Sequence, residues 1–97
     1  MVLHVIMFRF KSAIGSRRRE ALVRRAREVL APLPGVRNFI AGEAIRDDID
    51  YTHAIGMLFD DEAALDAYRA HPAHIAFRDR EFVPLVEQRQ AYDFAEG

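Results

Sequence analysis

Apolar residues alternate along VLHVIMFRF, residues 2–10, so that His4, Ile6, Phe8 and Phe10 share one face and Leu3, Val5 and Met7 the other. Both rows are apolar, which predicts a central strand. The period then changes. From Arg17 to about Ala31 the apolar positions Leu22, Val23, Ala26, Val29 and Leu30, with Leu33 beyond them, fall within an arc of about 120° at helical spacing, opposite Arg17, Arg18, Arg24, Arg25 and Arg27. Ser16 is the expected N-cap, and LPG at 33–35 ends the helix. A second strand is expected over 36–44, with Phe39 and Ile40 on opposite sides and Arg37, Asn38 and Glu43 marking an edge. The polar run RDDID, 46–50, leads into a third strand, YTHAIGMLF, 51–59. There His53, Ile55, Met57 and Phe59 share a face, and Thr52, Ala54, Gly56 and Leu58 the other. Asp60 or Asp61 caps a helix to about Ala70 that buries Ala64, Leu65 and Tyr68. A further helical stretch runs from 72 to about 82, and a last strand from 86 to 94.

The order strand, helix, strand, strand, helix pair, strand is the ferredoxin-like β-α-β-β-α-β plan. It is an α+β fold with a four-stranded antiparallel sheet, helices on one face, and the first and third strands central. Such a sheet leaves Leu3, Val5, Met7, Ala54, Leu58, Val86, Tyr92 and Phe94 in water, more contiguous apolar surface than a monomer usually shows. Two copies packed face to face would cover it, so a homodimer is expected.

Composition narrows the function. Ninety-seven residues fit a single domain, 1–97, burying about two thirds of the surface of the unfolded chain. No apolar run is long enough to cross a bilayer, and MVLHVIMFRF lacks the basic leader and small-residue cleavage site of a signal peptide; it reads as a strand, and the expected location is cytoplasmic. Fourteen basic and fifteen acidic side chains give a net charge of −1, so neither nucleic acid nor an anionic membrane is an expected partner. The arginine face of the first helix carries Glu20 and Glu28 and no interleaved aromatic residue, as a solvated face does. The chain has no cysteine, hence no disulfide, thiolate ligand or cysteine nucleophile. Ser12 and Ser16 lie in no GxSxG turn, the glycines form no phosphate loop, and no HExxH pattern exists; neither metal nor cofactor is expected.

Candidate chemistry concentrates in YRAHPAHIAF, residues 68–77. Pro72 disfavours helical geometry at His71 and suits the first position of a new helix, which makes His71 an N-cap and puts His74 in the first turn. The positive helix end should lower the proton affinity of His74 and keep it neutral, a state in which it can act as a general base. Tyr68, one to two turns away across the break, could donate a hydrogen bond to a carbonyl oxygen becoming an enolate. His4 and His53 begin the inward rows of the central strands and could reach the same cavity, lined also by Ile6, Phe8, Ile55 and Met57.

The segments LHVIMFRFK, LPGVRNFIAGE, DYTHAIGMLFDDEAALDAYRAHPAHIAF and PLVEQRQAYDF together resemble the stress-responsive dimeric A/B barrel domain over nearly the whole chain. The resemblance implies a homodimer in which two ferredoxin-like sheets form an α+β barrel with the helices outside. The family includes heat-stable plant stress proteins and an olivetolic acid cyclase that closes a polyketide by aldol condensation; its catalytic tyrosine and histidine match Tyr68 and His74. Its pocket positions imply substrate contacts at His4, Ile6, Phe8, Phe39, His53, Ile55, Ile75 and Arg89. Arg89 stands where the cyclase is apolar, and Leu22, Val23 and Ala26 stand where it has large aromatic residues, so a smaller or acidic carbonyl compound fits better than its polyketide. The resulting expectation is a homodimer binding a small carbonyl-bearing metabolite, with aldol or proton-transfer chemistry by His74 and Tyr68. The alternatives are a non-catalytic stress or ligand-buffering protein, and a haem-binding or cofactor-free oxygenase of the wider dimeric barrel group.

Overall fold

The computed structural model describes residues 1–97, and the alternating first segment forms strand β1, Val2–Phe10. It is followed by α1 (Ser16–Leu30), β2 (Arg37–Glu43), β3 (His53–Phe59), α2 (Glu62–Ala70), α3 (Pro72–Phe77) and β4 (Val86–Ala95). The strands form one antiparallel sheet in the order β2-β3-β1-β4, so the two strands with apolar residues on both faces are central. All helices lie on one face, and the ferredoxin-like plan expected from the sequence is the plan observed.

Between helices and sheet, the core is largely aromatic. Phe8, Phe10 and Phe59 are almost wholly enclosed with Ile55 and Met57, and α1 contributes Leu22, Ala26 and Leu30. The Phe8 ring meets those of Phe10 and Phe82 at centroid distances of 5.4 and 4.9 Å. Fully burying one such side chain contributes about 1.5–3 kcal/mol. This cluster fills the middle of the space between the layers. Leu33, Pro34, Gly35 and Val36 then reverse the chain in a turn closed by the Val36 N–H donating to the Leu33 carbonyl at 3.2 Å, with Gly35 at φ +84°.

Several local expectations are corrected. Gly15, not Ser16, is the N-cap of α1, and no side chain caps that helix. Asp61 is the α2 cap, accepting the Ala64 N–H at 2.8 Å. The helical stretch after Pro72 is not one α-helix: α3 passes into a π-helical turn at Arg78–Phe82 and a 3₁₀ turn at Val83–Leu85. The third strand starts at His53 instead of Tyr51.

Val86 was expected on the open face and is instead buried in the core. Along β1 and β4 each partner pair runs in step from Val2↔Ala95 to Arg9↔Gln88, then jumps to Phe10↔Val86. Glu87 is thus an extra residue, and a bulge of one residue inverts the side-chain phase beyond it. The open face still carries exposed Leu3, Tyr92 and Phe94. On β2, Phe39 packs against the core while Ile40 is 69% exposed, the opposite placement that the sequence implies.

Candidate functional site

The site begins at the break between α2 and α3. His71 is extended (φ −65°, ψ 132°), as the residue before a proline prefers, and its Nδ1 accepts the Ala73 N–H at 3.0 Å. In a continuous helix that N–H would bond to the carbonyl of Arg69, four residues earlier. Freed of it, the Arg69 carbonyl accepts a hydrogen bond from His74 Nδ1 at 3.1 Å. This fixes the His74 tautomer: Nδ1 carries the proton and Nε2 the lone pair.

His74 is held below its ordinary proton affinity. Burial is the main cause, with the charges of Arg78, His4 and Arg69 acting in the same direction and the Arg69 carbonyl opposing them. The sequence assigns this direction to the helix terminus; burial is its leading cause instead. Beside it, the Tyr68 ring lies 4.6 Å away between centroids, and burial pushes the phenol well above its usual range, so Tyr68 remains a proton donor at neutral pH. Its hydroxyl has no hydrogen-bond partner within the protein.

On the other side of Tyr68 stands His4, 6.0 Å between ring centroids, whose Nδ1 donates to Asp93 Oδ1 at 2.5 Å. The other Asp93 oxygen accepts from Arg69. Burial alone would raise the Asp93 carboxyl, but His4 and Arg69 outweigh it and hold the group below the usual carboxylate range. Asp93 was absent from the sequence-derived site. It stands directly opposite His4 in the β1–β4 register, so strand pairing is what would have found it.

His4, Tyr68, Arg69 and His74 border a cavity of about 340 Å³ between the helices and the sheet, lined also by Ile6, Ile55, Met57, Phe77 and Arg89. Arg69 and Arg78 on its wall are paired with Asp93 and Asp79, whereas Arg89 forms no ion pair. Of the expected site residues, the fold therefore brings together Tyr68, His74, His4, Ile6, Ile55 and Arg89. It does not bring the other four to this cavity. Phe8 is sealed in the core under Phe82, Ile75 is exposed away from the lining, and Phe39 lies under the guanidinium of Arg27 at 5.2 Å. His53 borders a separate cleft, its Nδ1 2.8 Å from the Thr52 hydroxyl and its ring against Phe8 and Phe10. No group of three His, Asp or Glu side chains is arranged to hold a metal ion, and no helix is long and apolar enough to cross a membrane.

Comparison with known proteins places this geometry. The sequence model of the stress responsive A/B barrel domain matches residues 2–96. A crystal structure of a ferredoxin-like-fold protein of that family from Mesorhizobium loti is 32% identical, with 98% of this chain and 95% of that one covered at a TM-score of 0.90. A dimeric ferredoxin-like protein from Thermobifida fusca is 24% identical over 98% of this chain and 90% of that one, TM-score 0.86. The hydroxynitrile lyase of Passiflora edulis is 20% identical over 96% of this chain and 90% of its own, TM-score 0.85. No curated protein matches the chain.

Proposed function

The chain belongs to the stress responsive A/B barrel domain family, and on that premise we propose that it is a homodimeric small-molecule enzyme acting on a compact carbonyl compound that carries a carboxylate. The observation that carries this reading is the meeting of a neutral His74, a protonated Tyr68 and an unpaired Arg89 around one largely apolar cavity. Arg89 would hold the carboxylate. His74 Nε2 would take a proton from the carbon next to the carbonyl, the C–H electron pair becoming the C=C bond of an enolate while the carbonyl π pair moves onto oxygen. Tyr68 would donate a hydrogen bond to that oxygen as its charge develops, and the enolate carbon would then attack a second carbonyl or be reprotonated. His4, oriented by Asp93 on the far side of Tyr68, supplies a second polar group on the cavity wall. The Passiflora edulis lyase supports the idea that this fold can host chemistry as well as binding.

The test is hydrogen–deuterium exchange at the C3 methyl of pyruvate and at the C2 methylene of acetoacetate, followed by proton NMR. Enzyme-dependent exchange is expected, slowed about 10²-fold or more in His74→Gln and Tyr68→Phe. Arg89→Gln should raise KM more than it lowers kcat. A second reading, binding without turnover, draws support from the fact that His74 and His4 each have Nδ1 satisfied within the protein. Saturable binding of both probes with no exchange would select it, and absence of both binding and exchange would discard the two together.

A further inference from the structure

A second cavity lies at the other end of the same sheet face. This cleft of about 640 Å³ opens between the N-terminal half of α1 and the ends of β2 and β3, and shares no lining residue with the His74 cavity. Between them stands the aromatic wall of Phe8, which meets Phe82 edge to face and stacks on His53. Any ligand in the cleft is therefore separate from the chemistry at Tyr68.

Three guanidinium groups border the cleft, Arg19, Arg24 and Arg27, and none of them forms an ion pair, although arginines 9, 25, 37, 69 and 78 all do. Two of the three are held in place by other means. Arg19 Nε donates to the Ile14 carbonyl at 2.7 Å with its guanidinium 5.4 Å above the Phe10 ring, and Arg27 lies 5.2 Å above Phe39. Stacked in this way, a planar guanidinium loses little further freedom when it pairs with a carboxylate or phosphate. Gly15 starts α1 with no side-chain cap, which leaves the first backbone N–H groups of a 15-residue helix at the same cleft. The helix start is also kept clear: a side chain on Gly15, in the lining, would meet nothing within 4 Å. Glu20 and Glu43 complete the border, so the cleft carries a single excess positive charge and disfavours a polyanion.

We propose that this cleft is a second ligand site, independent of the His74 cavity, that takes a small organic anion bearing one carboxylate or phosphate group. Its volume is in the range of small-molecule sites. The anion would pair with Arg24 and Arg27 and face the uncapped start of α1, with His53 at the base. The proposal does not depend on catalysis at Tyr68 and His74.

The experiment is a titration of the ¹⁵N-labelled protein with inorganic phosphate and, separately, with butyrate, at constant ionic strength, read by amide and histidine chemical shifts. Saturable shifts are expected at residues 15–19, Gly42 and His53, with the amides of α3 unmoved. The pKa of His53, held low by burial and by Arg19 against the pull of Glu43, should rise when the anion binds. The double variant Arg24→Gln, Arg27→Gln should weaken binding at least tenfold. Val23→Phe, which leaves every charge in place and enlarges an apolar side chain in the lining, should also weaken it. A response to one probe alone assigns the site to that anion class. Shifts that fail to saturate, that spread over all exposed arginines, or that persist unchanged in Val23→Phe would overturn the proposal, as would silence towards both probes.

Discussion

At the scale of single residues, the His71 cap and the His74 tautomer are two ends of one exchange of partners. His71 holds the Ala73 N–H, and the carbonyl this leaves free holds His74. His71→Ala leaves the Ala73 N–H without its cap and free to compete for the Arg69 carbonyl against the geometry Pro72 imposes. Because that carbonyl supports the charged form of His74, such competition should lower the His74 pKa further. The cap itself should cost about 0.5–2 kcal/mol, recovered in His71→Asn. NMR titration of His74 decides the point: an unchanged pKa in His71→Ala would show that the two histidines are not coupled. The sign for the wild type follows from the same shift. Folded His74 and His53 bind protons less readily than their ordinary value of 6.5, so the unfolded chain takes up more protons in the window below it. Stability from these two groups is complete above about pH 6.5 and is lost as pH falls through their folded values. The melting temperature should decline between pH 7 and 5, and less steeply in His74→Gln; an equal decline in both proteins would remove His74 as a cause. Asp93 acts lower on the scale, its contribution lasting until the acid range below its ordinary value of 3.8.

At the scale of elements, Asp61 offers a direct test of how α2 begins. Asp61→Ala removes the acceptor of the Ala64 N–H and should cost about 0.5–2 kcal/mol, seen as a lower melting temperature, whereas Asp60→Ala should not show this loss. Such elements were largely legible in the sequence because period and punctuation are local: alternation marked the strands, and Pro72 marked the corner between two helices. What was not legible depends on pairing between distant segments. The bulge at Glu87 follows from how β4 meets β1, and it alone moves Val86 from the open face to the core. His4 and His53 posed a different difficulty. Parity correctly gave both a helix-facing side, but His53 pairs with Phe8, four residues along β1 from His4, or about 13 Å at strand rise. Parity names a face and says nothing about which of two cavities on that face a side chain reaches. Asp93 was hidden for the same reason, since its partner is 89 residues away in the chain.

At the scale of the whole molecule, the question is what covers the open side of the sheet. Leu3, Tyr92, Phe94 and Ile40 are between 40% and 69% exposed there, with Val5, Met7 and Leu58 half-buried among them. Helices cover only the opposite face, and the Tyr92 and Phe94 rings stack on each other, 6.1 Å between centroids, leaving an apolar surface with no partner inside the chain. In the homodimer proposed above, a second copy packed sheet to sheet would remove this area from water at about 25 cal/mol per Å². Val5 is the informative position. It sits on a central strand opposite Gly56 on one side and Tyr92 on the other, so a charge there would lie in the middle of a sheet-to-sheet interface. Val5→Asp should convert the proposed dimer to monomer because an unpaired carboxylate cannot be buried without a large desolvation cost. In the isolated monomer the same side chain faces water and leaves the helix-side core intact. Sedimentation at micromolar concentration, with circular dichroism to confirm folding, separates the outcomes: a folded Val5→Asp monomer beside a wild-type dimer is the expected result. A wild type that sediments as a monomer would leave the open face to some other occupant.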